Sequence, residues 1–237
     1  MEINNIAVPQ CWQDFADVLS AGIDRVILFG PPGTGKSYAG LNSGLHAGQA
    51  SYRLVCTEDM TSANVEGMFL PNADGGFTWL DGSATKAWRS GGRLVVDECD
   101  KASGDVSALL LAFTDSVASS VHDLPNGERI TPAEGFSVVM TSNIENPYDL
   151  PEALKDRFPV ALEINAPHPS ALATLPADLQ GVANAVISAE PERRSSLRSF
   201  YAFDKLRSTL GMERAACLAF GQERGEAVID TLRVSKL

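Results

Sequence analysis

The 237-residue sequence holds four cysteines, Cys11, Cys56, Cys99 and Cys217, with no CxxC pair. A disulfide framework or a zinc site needs paired or clustered thiols, so these read as reduced thiols of a cytoplasmic protein. No apolar run reaches the ~18 residues of a membrane span. The opening stretch MEINNIAVPQCWQDF lacks the basic start and apolar core of a signal peptide. Cations are outnumbered, 19 Lys and Arg against 30 Asp and Glu, and they form no consecutive block. A chain of net charge −11 repels nucleic-acid phosphates unless it concentrates its cations locally, which weighs against a dedicated nucleic-acid binder. Of the three histidines, His122 lies in a predicted hairpin with no Cys or His neighbour at ligand spacing, which argues against a metal role. His46 at a helix end and His168 between prolines read as solvated, and no nucleophilic triad can be read from the sequence.

What is present is a globular composition, 44% hydrophobic and 21% charged, long enough for one or two domains with a real core. A short helical pattern around Trp12, Phe15, Val18 and Leu19 ends at Gly22. Strand candidates rich in β-branched or aromatic residues follow at 25–29, 52–56, 93–96, 136–140 and 161–164. Helical patterns separate them at 36–47, 82–88, 106–116 and 152–155. That alternation predicts an α/β domain with a parallel five-stranded sheet covered on both faces. Beyond Asn165-Ala166-Pro167-His168-Pro169 the patterning is helical only, at 177–187, 196–210, 213–220 and 226–232. The expected division is an α/β domain over 1–165 and a small helical lid domain over 166–237.

The first strand runs into Gly30-Pro31-Pro32-Gly33-Thr34-Gly35-Lys36-Ser37, which satisfies G-x-x-x-x-G-K-[ST]. Glycines at these places let backbone N–H groups turn inward around phosphates at the positive end of the following helix. Lys36 adds a mobile charge, Ser37 can ligate Mg²⁺, and Tyr38 is counted with the cofactor-binding set. The third unit ends in Leu94-Val95-Val96-Asp97-Glu98-Cys99-Asp100. Asp97 is expected to hold the magnesium ion through its water shell, and Glu98 to orient or deprotonate an attacking water. Cys99 beside these carboxylates reads as packing, because negative charge suppresses a thiolate.

GPPGTGKS followed by LVVDE resembles the AAA+ ATPases, and the resemblance runs from residue 25 to about 235. It implies the P-loop NTPase fold with ATP and Mg²⁺ as cofactors, although no base-reading motif distinguishes ATP from GTP. Thr141-Ser142-Asn143 is similar to the family's sensor 1, in which Asn143 helps position the lytic water. Leu150-Pro151-Glu152-Ala153-Leu154-Lys155-Asp156-Arg157-Phe158 resembles the LPxAxxDRF segment, which makes Arg157 an arginine finger supplied in trans. Ser196-Leu197-Arg198 resembles sensor 2 without its proline; it implies Arg198 as a nucleotide contact, with Arg193 and Arg194 as competitors. FTWLDGSATKAWRSGGRLVVDECDKASGDVSALLLAFTD is similar to the MoxR-like, dynein-related branch, which includes the CbbQ/NorQ activases.

Two stretches exceed a minimal nucleotide-binding sheet. Residues 67–80, GMFLPNADGGFTWL, place apolar runs on both sides of a Pro, Asn, Asp and Gly turn, which predicts a hairpin. Residues 119–131 carry Asn126-Gly127, the strongest short hairpin signal. In the branch this chain resembles, both hairpins face the channel of a hexameric ring, so Phe69 and Phe77 are candidate channel-loop residues. The bland alternative is that they and Trp79 pack the hairpin base, with Trp79 foremost. The resemblance implies a chaperone-like ring ATPase acting on a client protein or metalloenzyme, partnered by a von Willebrand A-domain protein because no segment is left for client recognition. The competing readings are a nucleic-acid motor or restriction-type NTPase, and a nucleotide-gated assembly switch.

Overall fold

The computed structural model describes residues 8–116, 118, 120–150, 152–187, 189 and 194–234. Pro151, Arg193 and Ser119, each part of a segment named above, lie outside the described residues. In chain order the first elements are α1 (Gln10–Ser20), β1 (Arg25–Phe29), α2 (Lys36–Asn42), β2 (Ser51–Val55), α3 (Ser62–Val65), β3 (Gly67–Pro71) and β4 (Phe77–Asp81). Then come α4 (Ser83–Ser90), β5 (Arg93–Asp97), α5 (Gly104–Phe113), β6 (His122–Asp123), β7 (Arg129–Ile130), β8 (Ser137–Thr141), α6 (Glu152–Arg157) and β9 (Val160–Glu163). The remainder is helical: α7 (Pro169–Leu172), α8 (Ala177–Ile187), α9 (Leu197–Leu210), α10 (Met212–Phe220) and α11 (Gln222–Val234).

By internal contacts the chain forms two compact units, one of residues 15–30 and 36–163, the other of residues 1–14, 31–35 and 164–237. The first unit is built on a five-stranded sheet of order β2-β5-β8-β1-β9 in which all paired neighbours run parallel. β1 and β5 are buried along their whole length, as strands covered on both faces must be, and this is why RVILF and RLVVD read as continuous apolar runs. The edge strands β2 and β9 have mixed burial. Trp88, Phe113, Leu94, Val138 and Met140 lie in one core cluster, with Trp88 and Phe113 rings 4.6 Å apart.

α2 stops at Asn42, short of the predicted 47, for an identifiable reason. Gly44 adopts φ +61°, and a Cβ there would meet the Leu19 side chain at 2.8 Å. Buried Arg93 donates to the carbonyls of Gly40, Ser43 and Gly44, satisfying the acceptors that a helix end leaves open.

Both predicted hairpins form. β3 and β4 pair antiparallel from Gly67↔Asp81 to Pro71↔Phe77, and Gly76 N–H donates to Asn72 Oδ1 in the turn. Phe69 is 50% exposed and Phe77 70%, whereas Trp79 packs against the core and its indole N–H donates to Asp81. In the second hairpin β6 pairs with β7, with Gly127 at φ +86° in the turn. Two sets of side-chain contacts connect the hairpins and their flanking residues. His122 Nε2 lies 2.5 Å from Glu66 Oε1, and Arg89 bridges Asp81 at 2.8 Å and Glu128 at 2.6 Å.

The second unit has its own core, in which Phe200 and Phe203 pack on Phe220 among Leu172, Leu179, Ile229 and Leu232. Trp12 is buried in this unit and its indole N–H donates to Ala166 O at 2.9 Å. His168 is half-buried rather than fully solvated between its prolines. Its ring stands edge-on to Trp12, its Nδ1 accepts from Ser170 N–H to cap α7, and burial lowers its pKa. Among the described residues no helix is long and apolar enough to cross a membrane.

Candidate functional site

In the sheet unit, the ends of β1, β5 and β8 gather most of the predicted chemistry, as expected where parallel strands stop. Asp97 closes β5 with 1% exposure; the Thr141 hydroxyl donates to its Oδ1 at 2.8 Å and Arg53 Nε to its Oδ2 at 2.5 Å. Lys36 is 5% exposed, and its ammonium donates to Gly30 O at 2.8 Å and to Asn143 Oδ1 at 3.2 Å. Asp100, which the sequence reading left without a role, accepts from the Ser142 hydroxyl at 2.5 Å.

Burial pushes the Lys36 pKa down to about 8, against the opposing pull of Asp97, Asp100 and Glu98. The sign follows directly: the folded value lies below the free one, so the charge is nearly complete at pH 7 and is lost as pH rises through 8. Affinity for ADP in the absence of divalent cation is therefore expected to fall, approaching about tenfold per pH unit above 8. Isothermal titration between pH 7 and 9.5 measures this, and Lys36→Ala abolishes the slope.

Glu98 is the single non-glycine residue at positive φ among the described residues, at φ 55° and ψ 46°. That conformation costs about 1–3 kcal/mol. Its N–H donates to Thr141 Oγ1 at 3.4 Å, its carbonyl accepts from Lys101 N–H at 2.9 Å, and its Oε2 accepts from Lys101 Nζ at 2.5 Å. Asn tolerates this region better, so Glu98→Asn is expected to stabilise the fold by about 1 kcal/mol, measured by urea denaturation. The neighbouring thiols of Cys56 and Cys99 are both pushed up to about 12, first by burial and then by Asp100, which keeps them out of nucleophilic chemistry.

The tip of the glycine loop, Pro31–Gly35, belongs to the other unit. Gly33 has φ +82°, Gly35 has φ +107°, and the Thr34 hydroxyl donates to Pro31 O at 3.2 Å. A Cβ on Gly33 would lie 2.5 Å from Ser196 Cβ, so the side chain that Gly33 lacks leaves room for the residue that caps α9. Arg198, the second residue of α9, is exposed and has no acceptor among the described residues. Arg194 is engaged, its Nε donating to Ala189 O at 2.9 Å.

Arg157 is not gathered at the strand ends. Its Nη1 donates to Ala153 O at 3.1 Å, its Nη2 lies 3.7 Å from Asp115, and its buried Nε has no acceptor. Tyr38 is 74% exposed. Residues missed in the sequence include Arg53, Thr141, Asp100, Lys101 and Ser196. Thr141 and Asp100 sit inside motifs that were quoted for their neighbours, whereas Arg53 carries no motif.

Residues 25–158 match the AAA domain of the dynein-related subfamily. The chain belongs to that family. Among proteins similar to this dynein-related AAA chain, Protein NorQ of Paracoccus denitrificans is 34% identical over 149 residues, 61% of this chain and 54% of that protein. Protein CbbQ of Hydrogenophilus thermoluteolus is 30% identical over 160 residues, 66% and 59% of the two. The AAA chain thus spans little more than half the length of these curated relatives. The structure of NtrX from Brucella abortus in complex with ADP matches with a TM-score of 0.54 at 16% identity, over 88% of this chain and 49% of that one, a likeness of fold.

The family implies a nucleotide and Mg²⁺, and the donors fit them. Magnesium is held by one or two carboxylates plus substrate phosphates rather than by a protein cage. Among the described residues no cluster of three or more His, Cys, Asp or Glu could hold a metal alone, whereas buried Asp97 and the Ser37 hydroxyl suit a cation shared with phosphate oxygens.

Proposed function

We propose that this chain is an Mg²⁺-dependent ATPase that works as a homo-oligomeric ring, a hexamer, and uses hydrolysis to remodel or activate a client protein or metalloenzyme. The observation that carries the reading is the convergence of Lys36, Asn143, Asp97 and Glu98 at neighbouring strand ends, with Glu98 held in a strained conformation. Strain of this kind persists where the surroundings over-determine it, and active sites are the usual place. In this reading residues 1–165 are the α/β domain that supplies the chemistry, and residues 166–237 are the helical lid domain, in which Arg198 is the second residue of α9.

In this reading Gly30, Pro31, Pro32, Gly33, Thr34 and Gly35 wrap the phosphates with backbone N–H groups, and Tyr38 follows them on α2. Ser37 and Asp97 would hold Mg²⁺, which when bound would neutralise phosphate charge. Lys36 would offer its ammonium to the phosphates, and Asn143 would orient water. Glu98 accepts the water's proton through Oε1, or through Oε2 once the Lys101 pair opens. Arg157 completes a neighbouring subunit's site, because its engaged partners in its own chain are Asp115 and a helix carbonyl.

The exposed Phe69 and Phe77 suit a client-gripping loop, and the contacts of His122 with Glu66 and of Arg89 with Asp81 and Glu128 favour the hairpins moving together. A partner with a von Willebrand A domain would supply recognition. The nucleic-acid motor is disfavoured because Arg129, the cation of the second hairpin, is taken by Asp123 at 2.7 Å. The intact catalytic set disfavours a switch with little turnover. Phosphate release from Mg-ATP tests the function. The double variant Phe69→Ala/Phe77→Ala is expected to keep basal hydrolysis within about twofold while losing client remodelling. DNA-stimulated hydrolysis, or no turnover in the assembled protein, overturns the reading.

A further inference from the structure

Arg53 has no part in the phosphate-site reading, yet it touches the carboxylate on which that reading most depends. Its Nε is 2.5 Å from Asp97 Oδ2, and the two side chains differ sharply in exposure, 49% for Arg53 and 2% for Asp97. Arg53 lies on β2, the edge strand next to β5, with Val55 paired to Asp97. A buried carboxylate with one oxygen unsatisfied is costly, and Thr141 serves only Oδ1. Arg53 therefore supplies the bond to the second oxygen, and a positive charge beside that of nearby Lys36.

A divalent cation needs the same carboxylate. A guanidinium and a dication against one carboxylate repel each other, so Arg53 has to yield or the cation binds weakly. The protein offers Arg53 somewhere to go. Its remaining N–H groups have no acceptor among the described residues, and it borders a polar cavity of about 410 Å³ that Thr57, Asp59, Asn64 and Ser83 also line. Asp59 is exposed and is the acidic member of that lining.

We propose that Arg53 is a positioning residue that holds Asp97 in the cation-free protein and passes to the Asp59 cavity when Asp97 takes a divalent cation. The inference rests on the reading of Asp97 as the cation-holding residue. Asn64 on α3 and Ser83 on α4, the helices that precede and follow the β3–β4 hairpin in the chain, both line the cavity, and the Ser83 hydroxyl donates to Arg53 O at 3.0 Å. Cation loading would thereby be registered at the base of the exposed hairpin through one side chain.

The test is a titration of Mn²⁺ into ADP-saturated protein, followed by the electron paramagnetic resonance of free Mn²⁺. Arg53→Ala is expected to bind Mn²⁺ about tenfold more tightly, a gain of about 1.4 kcal/mol. Arg53→Lys should stay within about threefold of the unsubstituted protein, and Asp59→Asn should weaken binding about threefold by removing the alternative partner. A merely structural arginine would shift the melting temperature and leave Mn²⁺ affinity where it was. Unchanged or weaker Mn²⁺ binding by Arg53→Ala overturns the proposal. If that variant does not fold, Arg53→Gln, which keeps a neutral donor near Oδ2, carries the same expectation. Absence of bound Mn²⁺ in the unsubstituted protein overturns the cation role of Asp97 itself.

Discussion

Arg157→Ala is expected to lower steady-state ATP hydrolysis by about 10³–10⁵-fold, the range an arginine finger contributes in other P-loop enzymes. Nucleotide affinity should change by less than about threefold, because a finger acts on charge that develops in the transition state. The structure argues that the loss would not come from unfolding. Arg157 gives up a long contact to half-exposed Asp115 and one bond to a helix carbonyl, and the substitution removes a buried N–H that has no acceptor. Such contacts contribute about 1 kcal/mol or less, and an orphaned donor costs as much in the other direction. Arg157→Lys retains charge without the fork and should recover only a small part of the rate. A tenfold loss or less in Arg157→Ala removes the residue from the catalytic account.

Glu98→Gln is expected to reduce the chemical step by about 10²–10⁴-fold, the span general-base catalysis supplies, while ATP binding and assembly persist. Gln keeps the shape of the side chain and cannot accept the proton. The Lys101 pair that it weakens is 37–51% exposed and contributes little to stability. Glutamine at this position inherits the positive φ, so the variant should melt near the unsubstituted protein, in contrast to the stabilised Glu98→Asn. Single-turnover phosphate release with bound ATP separates the lost step from lost binding. The same variant in ATP offers the most direct capture of a client.

The gathering of Lys36, Asp97, Glu98 and Asn143 at neighbouring strand ends was legible because these residues lie in contiguous runs. GPPGTGKS, LVVDE and TSN each end or follow a strand whose apolar run is continuous, and parallel burial makes such runs unmistakable. β1 and the helix over Ala177–Ile187 appear at their predicted bounds, and the other strands within one residue. The sequence did not reveal features that depend on non-local partners. α2 ends early because Arg93, fifty residues away, caps its carbonyls. His168 looked solvated between its prolines because Trp12 lies 156 positions upstream. Arg53 reaches Asp97 only through the β2–β5 register, which no local pattern encodes. The exposure of Phe69 and Phe77 beside a packed Trp79 was likewise a question of tertiary contact.

Mixing Arg157→Ala with Glu98→Gln subunits tests the account where it is most exposed. Each variant alone should be nearly inactive. In a mixed ring the Glu98→Gln subunit can offer its intact Arg157 to a neighbour that keeps Glu98, so mixing two inactive proteins is predicted to restore a substantial fraction of hydrolysis. If the mixture stays as inactive as its components under conditions where they co-assemble, the site is not completed by a neighbouring subunit.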